Sequence, residues 1–195
     1  MVAAERQLLA LLGIDELLGV IGGSMGGARA LEWAAMYPEM AGSACVIATS
    51  ARSSAWQIGI QTAQICAVEA DPDWQNGDYY DTGRCPDRGL GAARRIAHLT
   101  YRGERELDAR FGRAHQGDGD PAVGGRYQIE SYLDYHSGKL LARFDANTYL
   151  IVTHSMMVFD VGQKRGGTEA ALGTITARTL VANVATESAP ALVAL

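Results

Sequence analysis

One short segment constrains the fold of this 195-residue chain more than any other: residues 22–27, with the sequence GGSMGG. An apolar run at 17–22 leads into it, and apolar positions at helical spacing follow it over 25–37, until Pro38 ends the pattern. The glycines therefore lie where a buried strand gives way to a helix. With a helix at 4–13 and a second apolar strand at 43–50, this order is typical of a parallel α/β sheet.

The segment contains the pattern G-x-S-x-G, in which a sharp strand-to-helix turn exposes a nucleophilic serine and requires small neighbours. This pattern predicts Ser24 as the nucleophile and the Met25 backbone amide as a donor of an oxyanion hole. The alternative is a tight turn in which Ser24 only caps the helix. A dinucleotide fingerprint is excluded because Ser24 or Met25 occupies its second glycine position, and a phosphate loop because Ala28 and Arg29 follow Gly27.

The middle of the chain has a different pattern, because helices and turn-rich loops replace the alternation of strands and helices. Helices are predicted at 53–70, 88–101, 104–112, 125–136, 146–161 and 167–173, and a last buried strand at 177–185. We therefore predict an α/β core over 1–52, a helical lid insertion over 53–175, and a returning strand with a divergent tail over 176–195.

Composition excludes several classes of protein. A net charge of −5 argues against a nucleic-acid-binding protein, and no apolar run approaches the ~20 residues that a membrane helix needs. The N-terminus lacks the basic region of a signal peptide. Cys45, Cys66 and Cys85 show no metal-binding spacing, so we expect reduced thiols, no metal and a cytoplasmic location.

Six segments in order make the sequence similar to a known family: GGSMGGARALEWA, IATSARSSAWQIG, ADPDWQNGDYY, ARRIAHLTYR, ESYLDYHSGKLLARFDANTYL and RGGTEAAL. The chain resembles the homoserine O-acetyltransferases of methionine biosynthesis, which have the α/β-hydrolase fold. The resemblance implies that a serine takes an acetyl group from acetyl-CoA and passes it to the hydroxyl of L-homoserine. Acetyl-CoA is then a co-substrate, no bound cofactor is expected, and the lid is expected to form a homodimer.

The resemblance also assigns roles to residues. Ser24 matches the nucleophile, and Arg94 and Tyr101 match substrate-contacting positions. A separation of seven residues is about two helical turns, so both side chains should project from one face, where an arginine can bind a carboxylate. Arg95 is the alternative to Arg94 if the register is shifted by one.

The chain departs from the family pattern at both ends. The triad order in this fold is serine, acid, histidine, but no histidine follows His154, and all four histidines precede the acid position. We expect these histidines to be surface or packing residues of the lid. Glu187 is the nearest candidate for the triad acid.

The segment before the elbow is also shorter than in the family, so we expect a chain truncated at both ends that is weakly active or inactive. We also expect its strands to leave an apolar sheet edge unpaired. Two alternatives remain: a related serine or homoserine acyltransferase or esterase, and a non-catalytic remnant that dimerises through the lid.

Overall fold

The computed structural model describes residues 1–183, which form eight α-helices and five β-strands. In chain order these elements are α1 (Val2–Leu11), β1 (Val20–Gly23), α2 (Met25–Met36), β2 (Ser43–Ile47), α3 (Ala55–Glu69), α4 (Asp87–Thr100), α5 (Glu104–Phe111), β3 (His115–Gln116), β4 (Arg126–Tyr127), α6 (Gln128–Leu141), α7 (Ala146–Met157), α8 (Thr168–Gly173) and β5 (Arg178–Ala182). Within residues 1–183, none of the helices has both the length and the apolar character needed to cross a membrane.

The chain forms two compact units. The first combines Met1–Ser54 with the chain from Val158 onward, and the second is Ala55–Met157. The predicted lid insertion, 53–175, extends past the end of the second unit. Val161 and Ala171, which lie within that predicted range, pack in the core of the first unit.

A three-stranded parallel sheet in the order β1-β2-β5 forms the centre of the first unit. Side chains alternate across β2, so Ala44 and Val46 are buried on one face. Helix α2 covers that face with Ala30 and Leu31. The predicted parallel arrangement of an α/β sheet is confirmed, and the burial of β2 and α2 together fixes the position of the turn between β1 and α2.

The opposite face of the sheet differs from the sequence-based expectation of buried strands. Ile21, Cys45 and Leu180 lie side by side in register across the three strands. Ile21 is 75% exposed and Leu180 is 61% exposed. A parallel strand is buried on both sides only where helices cover both faces of the sheet, and α2 packs on one.

The second unit is a helical bundle built around α4. Leu90 and Ala93 of α4 pack with Val68 of α3 and Leu140 of α6. Helix α4 can approach α3 closely because Gly89 has no side chain: a Cβ there would lie 2.6 Å from the Ala67 carbonyl oxygen. This close packing fixes which face of α4 points away from α3.

Two helices have boundaries that differ from the prediction by more than two residues. Helix α6 begins at Gln128 rather than 125, because Arg126–Tyr127 pairs as a short strand with His115–Gln116. At its other end, α6 extends to Leu141 instead of 136. Helix α7 ends at Met157 rather than 161, because the chain beyond it bonds with the segment after β2: the amide of Ser53 donates to the Phe159 carbonyl over 3.0 Å.

Candidate active site

Ser24 has a backbone conformation that serine rarely adopts. Its φ of 55° and ψ of −121° lie outside the regions that residues with a side chain normally occupy. Two backbone hydrogen bonds hold it there: its amide donates to the Ile47 carbonyl over 2.8 Å, and its carbonyl accepts from the Ala28 amide over 3.1 Å. The side chain is exposed and makes no capping hydrogen bond to α2. This geometry favours the elbow over the capping turn.

The four glycines around Ser24 are not equivalent. A Cβ at Gly22 would lie 2.0 Å from the Gly26 carbonyl oxygen, and one at Gly27 would lie 2.9 Å from the Ile47 carbonyl oxygen. At Gly23 and Gly26 a Cβ would meet no described atom within 4 Å. The turn therefore requires glycine at Gly22 and Gly27 for space, and these two residues let the helix start directly against the strand.

The start of α2 supplies hydrogen-bond donors next to Ser24. The first amides of a helix have no partner within the helix, and the positive end of the helix dipole lies there. Met25 is the first residue of α2 and directly follows Ser24. An exposed serine hydroxyl beside such an amide supplies the attacking group and one oxyanion donor of a nucleophilic site.

Arg94 and Tyr101 come together in the second unit, on α4 and at its C-terminal end. Arg94 Nη1 donates to the Tyr101 hydroxyl over 3.2 Å, and the guanidinium carbon lies 5.5 Å from the centre of the Tyr101 ring. Arg94 Nε is buried and has no hydrogen-bond partner. Among the described residues no carboxylate forms an ion pair with Arg94, so its charge is available to an anionic ligand.

Arg95 has a different environment, which separates it from Arg94. Its Nε and Nη2 donate to the Asp134 carboxylate over 2.9 and 2.6 Å. Arg126 donates to the same carboxylate, and the two arginines hold the pKa of Asp134 below its usual range. Arg95 is therefore occupied within the protein, and the geometry favours Arg94 as the ligand-binding residue.

His98 lies between Arg94 and Tyr101 on α4 and is only 7% exposed. Its ring is 5.0 Å from the Tyr101 ring and 3.9 Å from the His136 ring of α6, centre to centre. Neither of its ring nitrogens has a hydrogen-bond partner. Burial, and then the nearby Arg94 charge, lower the pKa of His98 to about 4, so the ring is neutral at physiological pH.

A partly buried polar pair from two other helices lies within electrostatic range of Arg94 and Tyr101. Tyr149 of α7 donates its hydroxyl proton to the side-chain oxygen of Gln64 on α3. Burial raises the pKa of Tyr149 to about 12; nearby Tyr101 adds to the rise and Arg94 opposes it. Tyr149 is therefore a protonated, uncharged hydroxyl near the arginine.

The predicted site residues are thus distributed over both units. Ser24 and Met25 lie in the first unit, and Arg94 and Tyr101 in the second. Glu187 lies outside the described residues. All four histidines of the sequence lie in the second unit, within 55–157. Sequence reasoning missed His98 as a neighbour of the arginine, although its spacing of four residues from Arg94 and three from Tyr101 places all three on one helical face.

Comparison with known proteins places this geometry in a family. Residues 1–169 match the model of the alpha/beta hydrolase fold. The chain belongs to the α/β-hydrolase fold family. The position of Ser24 between β1 and α2 is the position of the nucleophile elbow in that fold.

Individual relatives are more specific. The homoserine O-acetyltransferase of Mycobacterium tuberculosis strain H37Ra is 57% identical over 171 residues, which cover 88% of this chain and 45% of that protein. A homoserine O-acetyltransferase structure from Bacillus anthracis superimposes with a TM-score of 0.84 at 23% identity, over 92% of this chain and 48% of the other. The structure of the acetyl esterase MekB matches with a TM-score of 0.79 at 29% identity, over 95% of this chain and 52% of the other.

The resemblance to homoserine O-acetyltransferases is confirmed by these matches, as is the α/β-hydrolase fold. The chain spans about half the length of the curated relatives it matches.

Proposed function

We propose that this chain takes part in acyl transfer from acetyl-CoA to the side-chain hydroxyl of L-homoserine, with Ser24 as the acyl carrier. The observation that carries the proposal is the strained, exposed Ser24 at the start of α2 in a chain 57% identical to proteins named homoserine O-acetyltransferase. The name of the relatives supports the acceptor and the acetyl group. The role of acetyl-CoA as the donor is part of the proposal.

The first half-reaction forms an ester on Ser24. The Ser24 hydroxyl oxygen attacks the thioester carbonyl of acetyl-CoA, the Met25 amide donates to the developing oxyanion, and the CoA thiol leaves with the proton that serine loses. The strained backbone supports this step because it keeps the hydroxyl exposed and next to the first amide of α2. No metal or bound cofactor takes part in the proposed step.

The second half-reaction transfers the acetyl group to the amino-acid substrate. The homoserine hydroxyl attacks the Ser24 ester, O-acetylhomoserine leaves, and the serine hydroxyl is restored. We assign Arg94 and Tyr101 to the substrate carboxylate, because an arginine without an internal carboxylate partner suits a bidentate ion pair. The bonds of Arg95 to Asp134 favour Arg94 over Arg95 for this role.

We expect slow turnover by the 195-residue chain. A serine is a weak nucleophile unless a base takes its proton, and the residues of the first unit, 1–54 and from 158 onward, include no histidine. The oxyanion donors and substrate binding alone leave a residual acceleration of about 10³–10⁴ over water in serine proteases stripped of triad members. Glu187 remains a candidate for the triad acid.

The proposal is tested by single-turnover assays with acetyl-CoA and L-homoserine at high protein concentration. We expect O-acetylhomoserine to form slowly with the wild-type chain and with Ser50→Ala, and not with Ser24→Ala. Equal product from Ser24→Ala would overturn the proposal. Succinyl-CoA and L-serine, supplied in parallel, test the choice of donor and acceptor.

Hydrolysis is the second candidate function, because the acetyl esterase MekB has a similar structure at 29% identity. An esterase would release acetate from an acetyl ester at a rate that L-homoserine does not change. A chain that neither transfers nor hydrolyses would instead support the non-catalytic alternative. Homodimerisation through the second unit and a cytoplasmic location remain predictions, and light scattering tests the first.

A further inference from the structure

The surroundings of Arg94 include one residue that has no assigned role. His98 is among the buried residues of α4, and its ring lies against the rings of Tyr101 and His136. Tyr132 of α6 lies edge-on at 6.0 Å from the same ring. His98 is therefore one of the contacts between α6 and the C-terminal end of α4, beside the bonds from Arg95 to Asp134 and from Arg102 to Tyr132.

The His98 imidazole packs between α4 and α6 without a described hydrogen bond from its ring nitrogens. Both nitrogens are buried and have no partner, which is unusual because buried polar atoms are generally hydrogen-bonded. The groups that surround the ring include no carboxylate: these are Arg94 on α4, Tyr101 and Arg102 directly after it, and Tyr132 and His136 on α6. The ring therefore serves as a neutral aromatic spacer between two helices.

Tyr101 depends on this spacer for its position. Tyr101 lies directly after α4 and is 60% exposed. Its amide donates to the His98 carbonyl, and the only described hydrogen bond of its hydroxyl is the one from Arg94. Aromatic contacts such as that between His98 and Tyr101 hold a ring in one orientation. Without them the hydroxyl of Tyr101 would lose its fixed position beside the guanidinium.

We propose that His98 is a positioning residue for carboxylate binding, which holds Tyr101 and through it Arg94 in the orientation that receives the substrate. The inference rests on the proposed function, because it takes Arg94 and Tyr101 as the site of the L-homoserine carboxylate. His98 does not touch the substrate. The shape of its ring holds Tyr101 in place, and hydrogen bonding by its nitrogens is not required.

The experiment measures L-homoserine binding by calorimetry in the full 195-residue chain and in three variants. His98→Ala should weaken binding about tenfold, because it removes the ring that packs on Tyr101. His98→Phe should restore binding to within about twofold, because it keeps a neutral ring. Leu90→Ala is the matched control: it removes a buried side chain from the same helix, away from Tyr101, and should leave the affinity unchanged.

Two further measurements separate positioning from general stability. Aminopropanol, which is homoserine without its carboxylate, should bind equally to wild type and His98→Ala, because the affinity that His98→Ala loses comes from binding of the carboxylate. Acetylation of Ser24 by an activated acetyl ester should proceed at the wild-type rate in both His98 variants. Each protein is measured at a temperature at which circular dichroism shows it folded, and His98→Leu replaces His98→Ala if the latter does not fold.

The outcomes distinguish this inference from the proposed function. If wild type binds L-homoserine and the folded His98→Ala variant binds it equally well, the inference is overturned and the proposed function stands. If His98→Phe binds as weakly as His98→Ala, the role of the ring as a spacer is overturned. If wild type does not bind L-homoserine, the acceptor assignment fails, and the inference fails with it.

Discussion

Ser24 and Arg94 are both held in defined positions, but by different means. The position of Ser24 depends on the backbone: a positive φ, two backbone hydrogen bonds, and two glycines at positions that have no room for a side chain. Arg94 lies in a regular helix, and its environment depends on side chains from α4 and α6. Backbone contacts of the turn and of the adjacent strand β2 therefore define one centre, whereas the other depends on side chains that pack between helices.

The largest effect should come from adding a single methyl group to the elbow. Gly22→Ala would place its Cβ 2.0 Å from the Gly26 carbonyl oxygen, so β1 or the start of α2 must move. We expect a loss of about 3 kcal/mol in the free energy of unfolding and loss of Ser24 acetylation. Urea denaturation and mass spectrometry measure the two effects.

Gly23→Ala is the control for this experiment, because its Cβ would meet no described atom within 4 Å. This variant should fold and react as wild type does. If both variants behave alike, the position of Ser24 does not depend on the space that Gly22 leaves.

The second effect concerns the arginine of the other centre. Arg94→Gln should weaken L-homoserine binding by about 2–3 kcal/mol, which corresponds to roughly 100-fold, because it removes the charge that we propose for binding the substrate carboxylate. Arg95→Gln, one residue away, should cost only about 1 kcal/mol of stability through the loss of its exposed ion pair with Asp134 and leave binding unchanged. The reverse result would show that the ligand-binding position is Arg95.

The third effect is a dependence of stability on pH that should originate in the second unit. The pKa of His98 is about 4 in the folded chain, below its ordinary value of 6.5, because burial disfavours the charged ring. The unfolded chain therefore binds more protons between pH 6.5 and 4, and stability should fall by about 2–3 kcal/mol as the pH is lowered through this range.

Thermal unfolding of wild type and two variants at several pH values tests this dependence. His98→Phe should reduce the loss of stability at acid pH, whereas His154→Phe, at an exposed position on α7, should not. An unchanged pH profile in His98→Phe would assign the effect to other groups. His136 is then the first candidate, because its ring lies against His98 and burial also lowers its pKa.

The smallest effect should come from removing one hydroxyl. Tyr101→Phe keeps the ring against His98 and removes the hydrogen bond from Arg94. We expect L-homoserine affinity to fall by about 1 kcal/mol, or roughly fivefold, without a change in stability. Calorimetry at constant pH measures this change, and an effect as large as that of Arg94→Gln would mean that the hydroxyl itself is a principal ligand contact.

Much of this arrangement could be predicted from the sequence, and the rest depended on tertiary contacts. The elbow was predictable because G-x-S-x-G between an apolar run and a helical pattern specifies a local backbone turn. Arg94 and Tyr101 were predictable as residues on one helical face. The spacer role of His98 was not, since it depends on His136 from a helix almost forty residues further along the chain.

Burial was harder to predict than secondary structure. Ile21 and Leu180 belong to strands whose apolar composition predicts burial, yet both are exposed, because the face of the sheet that they share is not the face that α2 covers. The short pairing of Arg126–Tyr127 with His115–Gln116 was missed for a related reason. Two-residue strands have no periodicity from which they can be recognised.

The central claim is that Ser24 carries the acetyl group, and peptide mapping by mass spectrometry tests it most directly. The chain is incubated with acetyl-CoA or an activated acetyl ester, digested, and mapped, and L-homoserine is then added. The account predicts one acetyl group on the peptide that contains Ser24, none in Ser24→Ala, and its loss on addition of L-homoserine with formation of O-acetylhomoserine. Acetylation at another residue, or an equal yield in Ser24→Ala, would contradict it.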